Sequence, residues 1–183
     1  MKKALIGITG SPNSGKRELT TTLCEQLHMR RFNLMQPVIT ACAAITGIDA
    51  HDIYRAPANS IIKLYNTTAK EFISAIRTAL VYADRSALIN DLEHRIATSV
   101  NTAHFFNGTI VDGITSEEEA EWVRKQGGLV IHLHNVNALG GPPLIRVANE
   151  DYLCAFDSRT EIIRFTIPSL IDVLRDRIDG LRG

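Results

Sequence analysis

The stretch Gly10-Ser11-Pro12-Asn13-Ser14-Gly15-Lys16 fits the spacing G-x-x-x-x-G-K, directly after the apolar run Leu5-Ile6-Gly7-Ile8 and directly before a helical pattern. Strand, glycine loop and helix in that order constrain the chain more than any other feature, because together they describe a phosphate cradle. Glycines let successive backbone N–H groups turn inward around phosphate oxygens, the helix N-terminus adds partial positive charge, and the lysine reaches the terminal phosphates. Gly10, Ser11, Pro12, Asn13, Ser14, Gly15 and Lys16 are therefore read as nucleotide-binding, with Lys16 also read as catalytic. A glycine turn that merely joins strand to helix is the alternative. The helix that follows carries Leu19, Leu23 and Leu27 at i, i+4 and i+8, a stripe that faces a core.

The position after the lysine normally supplies a hydroxyl to magnesium, and here it is Arg17, which offers no oxygen. Arg17 is read as a phosphate contact or as the partner of a neighbouring carboxylate, with magnesium held through water by Ser14, Glu18 or Asp112. A loss of catalysis is the other reading of Arg17. Asp112 closes the buried-strand pattern Thr109-Ile110-Val111-Asp112, at the strand end where ligands gather in open α/β sheets. It is the candidate second catalytic residue and holds magnesium through water; a capping or turn role is its alternative.

The rest of the chain alternates between the two periods. Residues 31–35 read as a short strand, 37–45 as an alanine-rich buried helix ending near Gly47, and 51–59 as a surface loop. Thr68-Ala69-Lys70-Glu71 has capping-box spacing ahead of Phe72, Ile73, Ile76 and Leu80. A further helix is predicted over 86–99, with Leu88, Leu92 and Ile96 on one face. Beyond the strand at 109–112, Ser116 and Glu119 cap another helix, Gly127-Gly128 stops it, and 129–133 is the next strand. Residues 137–143 form a glycine and proline loop; a final strand near 162–165 leads into a helix striped by Ile167, Leu170, Ile171, Leu174 and Ile178.

This pattern, over 183 residues, predicts one α/β domain: a mainly parallel sheet flanked by helices, with a helical insertion at about 48–105. A content of 45% hydrophobic and 22% charged residues excludes disorder as the main state. Twenty Lys and Arg balance twenty Asp and Glu, which disfavours a broadly basic nucleic-acid binder. Three cysteines without C-x-x-C spacing argue against a disulfide framework or a zinc ribbon and suit a reducing cytoplasm. Cys42 and Cys154 are read as small buried residues. The apolar run after Met1-Lys2-Lys3 is too short for a signal peptide, and no run approaches the length of a membrane span. His132 and His134 alternate along their strand and are read as polar residues of an edge or half-exposed strand, not as metal ligands.

The order of these motifs resembles the phage-type deoxynucleoside monophosphate kinases, a branch of the P-loop kinases, over most of the chain. Beyond the glycine loop, Thr68-Ala69-Lys70-Glu71-Phe72-Ile73-Ser74 is similar to a family helix start. Val111-Asp112-Gly113-Ile114 through Glu119-Ala120-Glu121, then Gly127-Gly128-Leu129-Val130-Ile131, is similar to a strand-Asp-Val-Arg segment followed by a helix, Gly-Gly and a strand. Ile114 stands where the family has arginine, and the spacing to Glu119-Ala120 is one residue longer. The resemblance implies a bacteriophage-type nucleotide kinase with a P-loop NTPase fold, MgATP on the loop and a nucleoside monophosphate acceptor under the helical insertion. Arg55, Lys70, Arg77 and Arg85 are then candidates to bind the acceptor, Lys70 and Arg77 first because they lie seven residues apart on one helix. Residues 137–146 are either a mobile lid tipped by Arg146 or an ordinary surface loop. Two other readings stay open: a nucleotide-binding protein without turnover, and a kinase for a modified base in viral DNA, the one reading with a nucleic-acid partner. A homodimer is compatible with all three.

Overall fold

The computed structural model describes residues 3–11, 14–55, 60–62, 65–99, 105–135, 145–149, 151–156 and 167–180. In chain order its elements are β1 (Ala4–Gly10), α1 (Lys16–Gln26), β2 (Met29–Asn33), α2 (Gln36–Thr46), α3 (Ala50–Arg55), β3 (Ile61–Ile62), β4 (Thr67–Thr68), α4 (Ala69–Ala83), α5 (Ala87–Thr98), β5 (Gly108–Asp112), α6 (Glu117–Lys125), β6 (Leu129–Asn135), β7 (Tyr152–Phe156) and α7 (Ile167–Gly180). They fall into two units, Met1–Asn33 with Thr98–Gly183 and, separately, Leu34–Ala97.

The first unit is α/β. Its five strands run parallel in the order β2-β5-β1-β6-β7. Side chains alternate between the two faces of a strand, so Ala4, Ile6 and Ile8 of β1 share a face with Met29, Ile110, Leu129, Ile131 and Leu133. That face is closed by Leu19, Leu23 and Leu27 from α1 and its C-terminal cap, and by Ile167, Leu170, Ile171, Leu174 and Ile178 from α7. The two apolar stripes predicted for these helices are the ones that are buried. The opposite face packs on α6 through the buried Ala120 and Val123. From β1 the chain leaves through α1 toward β2; from β5 it leaves through α6 toward β6 on the other face. The crevice between the carboxyl ends of β1 and β5 is therefore a topological switch point, where open parallel sheets bind their ligands.

The second unit is helical with one short hairpin, β3 pairing antiparallel with β4. Val38, Ile39 and Cys42 of α2, Ile53 of α3, and Leu88 and Leu92 of α5 are buried. In α4, Phe72, Ile73, Ile76 and Leu80 are only half-buried and Ala69 is its one buried residue. Tyr65 stacks on Phe72 with ring centroids 5.2 Å apart.

Several expectations need correction. The stretch read as a loop at 51–59 begins as α3, because Asp49 Oδ1 accepts the His51 N–H at 2.8 Å and starts the turn that buries Ile53. The second strand begins two residues earlier than predicted: His28 takes a positive φ of 49° and turns the chain straight out of α1. Asn107 braces that turn, donating from Nδ2 to Leu27 O and from its backbone N–H to His28 O. Strand β7 was not anticipated, while the strand expected at 162–165 and the loop at 137–143 lie outside the described residues. His132 and His134 do not sit on an edge: β6 runs between β1 and β7, and His132 is fully buried. Cys42 is buried as expected, and Cys154 half-buried. Among the described residues, no helix is long and apolar enough to cross a membrane.

Candidate functional site

Strand β1 delivers the glycine loop to the switch point. Gly10 adopts φ 150°, and a Cβ there would stand 2.2 Å from Leu133 O, so only glycine lets the loop leave β1 flush against β6. Ser11 N–H donates to that same carbonyl at 3.3 Å, and Ser14 N–H donates back to Ser11 O at 3.3 Å. Gly15, in the left-handed region at φ 78°, precedes the first turn of α1. Pro12 and Asn13 lie outside the described residues.

Lys16 folds back over this loop. Its Nζ donates to Gly10 O at 2.8 Å, Ser11 O at 2.6 Å and, weakly, to Ser14 Oγ at 3.4 Å. An ammonium group held by the carbonyls at the mouth of the loop is already placed to exchange them for stronger, charged acceptors. Burial lowers the Lys16 amine from the usual lysine range, and the nearby Asp112 carboxylate restores part of that shift.

Asp112 ends β5, one strand over, in register with Ile8 of β1. It is buried, at 7% exposure. Arg31 of β2 donates from Nε to Asp112 Oδ2 at 2.8 Å and pairs with the same oxygen through Nη2. Oδ1 is buried and has no hydrogen-bond partner among the described residues. Burial pushes the Asp112 carboxyl up, while the charge and hydrogen bonds of Arg31, and then Lys16, act against that shift. Sequence reasoning missed Arg31, which it took for the first residue of a strand. The available signal was the pair Arg30-Arg31 inside a strand run, since a charge on a sheet face calls for a partner.

No model of a known protein family matches this sequence, and no curated protein matches it.

The other predicted residues divide between the units. Arg17 stands exposed on the first turn of α1. With Glu18, Thr21 and Gln26 it lines a hollow of about 570 Å³ that Ile167 and Pro168 of α7 bound on the other side. Lys70, Arg77 and Arg85 belong to the second unit: Lys70 is exposed on α4, Arg77 is half-buried there, and Arg85 is exposed in the turn before α5. Of Arg55 only the backbone is described. Ile114 is buried, with its Cδ1 2.6 Å from where a Cβ on Gly7 would be. It packs into the sheet and contributes only its carbonyl, which accepts from Thr9 Oγ1 at 2.9 Å.

Arg146 is held by its backbone. Its N–H donates to Glu117 Oε2 at 2.8 Å, and its carbonyl accepts from Arg124 Nη2 at 2.7 Å. Arg124 also pairs with Glu117 at 2.7 Å and Asp151 at 2.7 Å, and Asp151 accepts the Ala148 N–H at 2.9 Å. Residues 145–149 are thus anchored on α6 by an ion network that sequence reasoning did not foresee, because its two Arg124 ion pairs join residues 7 and 27 apart in the chain.

The donor set can hold a magnesium ion through water. Arg17 has no oxygen to give, whereas the bare, buried Asp112 Oδ1 can accept from a metal-bound water.

Proposed function

We propose that this chain is a P-loop phosphotransferase that moves the γ-phosphoryl group of ATP to a deoxynucleoside monophosphate. One observation supports the reading above the rest: Lys16 lies across a glycine loop at the end of β1, beside a buried carboxylate at the end of the neighbouring strand. Loop amides and the N-terminus of α1 supply donors to the β-phosphate. Lys16 leaves the Gly10 and Ser11 carbonyls for the phosphate oxygens and follows the transferred group. Asp112 would hold magnesium through water, and the ion would supply charge neutralisation to the phosphates. The acceptor is assigned by resemblance, which offers Lys70, Arg77, Arg85 and Arg146 as candidate cationic contacts. Such chemistry is positioning plus electrostatics and needs no covalent intermediate.

Two features favour a second reading, a nucleotide-binding protein without turnover: Arg17 in the hydroxyl position, and a buried Ile114 where the resemblance calls for a substrate-facing arginine. Calorimetric titration of ATP, run beside an assay for diphosphate product, separates the two. Transfer abolished by Lys16→Ala supports the kinase. Lys16-dependent binding with no product from any deoxynucleoside monophosphate supports the second reading.

A further inference from the structure

Arginine usually meets a carboxylate as a fork, one nitrogen to each oxygen. Arg31 does not: Nε and Nη2 both converge on Asp112 Oδ2. The consequence is a carboxylate with one oxygen held twice and the other, Oδ1, buried and without a partner among the described residues. A buried polar atom without a partner is costly, and such atoms are few in folded proteins. This one lies at the carboxyl end of β5, close enough to Lys16 for their charges to interact, on the side of the sheet that carries α1.

The strand pattern explains how Arg31 gets there. Met29, Arg31 and Asn33 alternate with Arg30 and Phe32, and Met29 belongs to the core beneath α1, so Arg31 points to that same face. In the parallel register Arg31 sits opposite Ile110, and Asp112 is two residues further toward the loop. A strand rises about 3.3 Å per residue, so the side chain must span roughly 7 Å along the sheet. That length suits arginine and brings its donors onto the near oxygen, Oδ2. Arg30, on the opposite face, is engaged elsewhere: its guanidinium lies over Phe32 and Phe106 and donates to Ser99 O at 3.1 Å.

We infer that Arg31 is a positioning residue for the phosphate site: by clamping Asp112 Oδ2 it aims Oδ1 at the water shell of the magnesium ion that accompanies the nucleotide. This rests on reading the glycine loop as a nucleotide site. In this inference Arg31 acts through Asp112. Partners that orient an acid near a metal are worth about 10- to 100-fold in metal affinity.

The test is nucleotide binding, independent of turnover. A fluorescent ATP analogue is titrated into the full chain in chelator and again with magnesium, and the gain in affinity on adding the metal is compared across variants. Arg31→Met is expected to lose about 10-fold or more of that gain while its affinity in chelator stays within about twofold of wild type. Arg31→Lys, which keeps a charge on Oδ2, recovers part of it. In an Asp112→Asn background, Arg31→Met adds no further loss, because the group it acts through is gone. Circular dichroism melts on each variant keep a folding defect from passing as a positioning effect. If Arg31→Met keeps the full magnesium gain, or its effect multiplies with that of Asp112→Asn, the inference is overturned. It is also overturned, with the loop reading intact, if wild type binds the analogue equally with and without magnesium. Absence of binding under both conditions removes the loop reading and the inference together.

Discussion

His132 Nε2 lies 2.9 Å from Asp151 Oδ2, inside the face of the sheet that α6 covers, with the two side chains 0% and 1% exposed. The same oxygen accepts from Arg124 and from the Ala148 N–H, so one buried carboxylate joins β6, α6 and the segment before β7. Burial alone would raise the Asp151 carboxyl; the hydrogen bonds of Arg124, Ala148 and His132 outweigh it and hold the group below the usual carboxylate range. Glu117, on the other side of Arg124, is lowered in the same way.

A depressed carboxyl stabilises the fold above its unfolded pKa, near 3.9 for aspartate, and that stability is lost as pH falls through the lower folded value. Thermal melts are expected to drop in midpoint below about pH 4, with a shallower drop for Asp151→Asn. Asp151→Ala, which leaves Arg124 short of its partner, is expected to cost about 3 kcal/mol at neutral pH. A neutral-pH midpoint equal to wild type would show that the cluster contributes nothing to the fold.

Gly10 tests the loop without touching a charge. With φ at 150° and the Leu133 carbonyl 2.2 Å from any added Cβ, Gly10→Ala must displace the loop from β6. A loss of about 2 kcal/mol by urea denaturation is expected from the backbone strain alone. Nucleotide affinity should fall with it.

Ser116 and Glu119 cap α6 reciprocally. Ser116 Oγ accepts the Glu119 N–H, and Glu119 Oε2 accepts the N–H groups of Thr115 at 2.7 Å and Ser116 at 3.0 Å. Ser116→Ala should cost about 1 kcal/mol. Glu119→Ala should cost more, since Glu119 is buried and two amides lose their acceptor. Denaturation midpoints at constant slope are the check.

Arg17→Thr restores a hydroxyl at the position after the lysine. Because Arg17 is exposed, stability should stay within about 0.5 kcal/mol of wild type. The magnesium-dependent gain in nucleotide affinity should rise about 10-fold, read by the same fluorescent titration. No rise would mean that the side chain after the lysine does not reach the metal.

Local signals were legible in the sequence where one element carried the whole message. Capping boxes at Thr68 and Ser116, the stop at Gly47, and the stripes of α1 and α7 each depend on residues within a turn or two, and the structure has them. The order of β1, lysine and helix start belongs to this class, since these residues lie close together in the chain. Pairings set by sheet order stayed hidden. Arg31 reaches Asp112 across 81 residues because β2 lies beside β5, and His132 is buried because β6 is an inner strand whose face α6 covers. Strand β7 itself is five residues long, Tyr152-Leu153-Cys154-Ala155-Phe156, too short and too uniformly apolar for its period to mark it.

The most direct test of the central claim is phosphoryl transfer from MgATP to each deoxynucleoside monophosphate, read as diphosphate product for wild type and Lys16→Ala. The account predicts product with at least one acceptor and a loss of about 100-fold or more in the variant. Product formed equally well without the Lys16 ammonium, or none with any acceptor while ATP still binds, would contradict it.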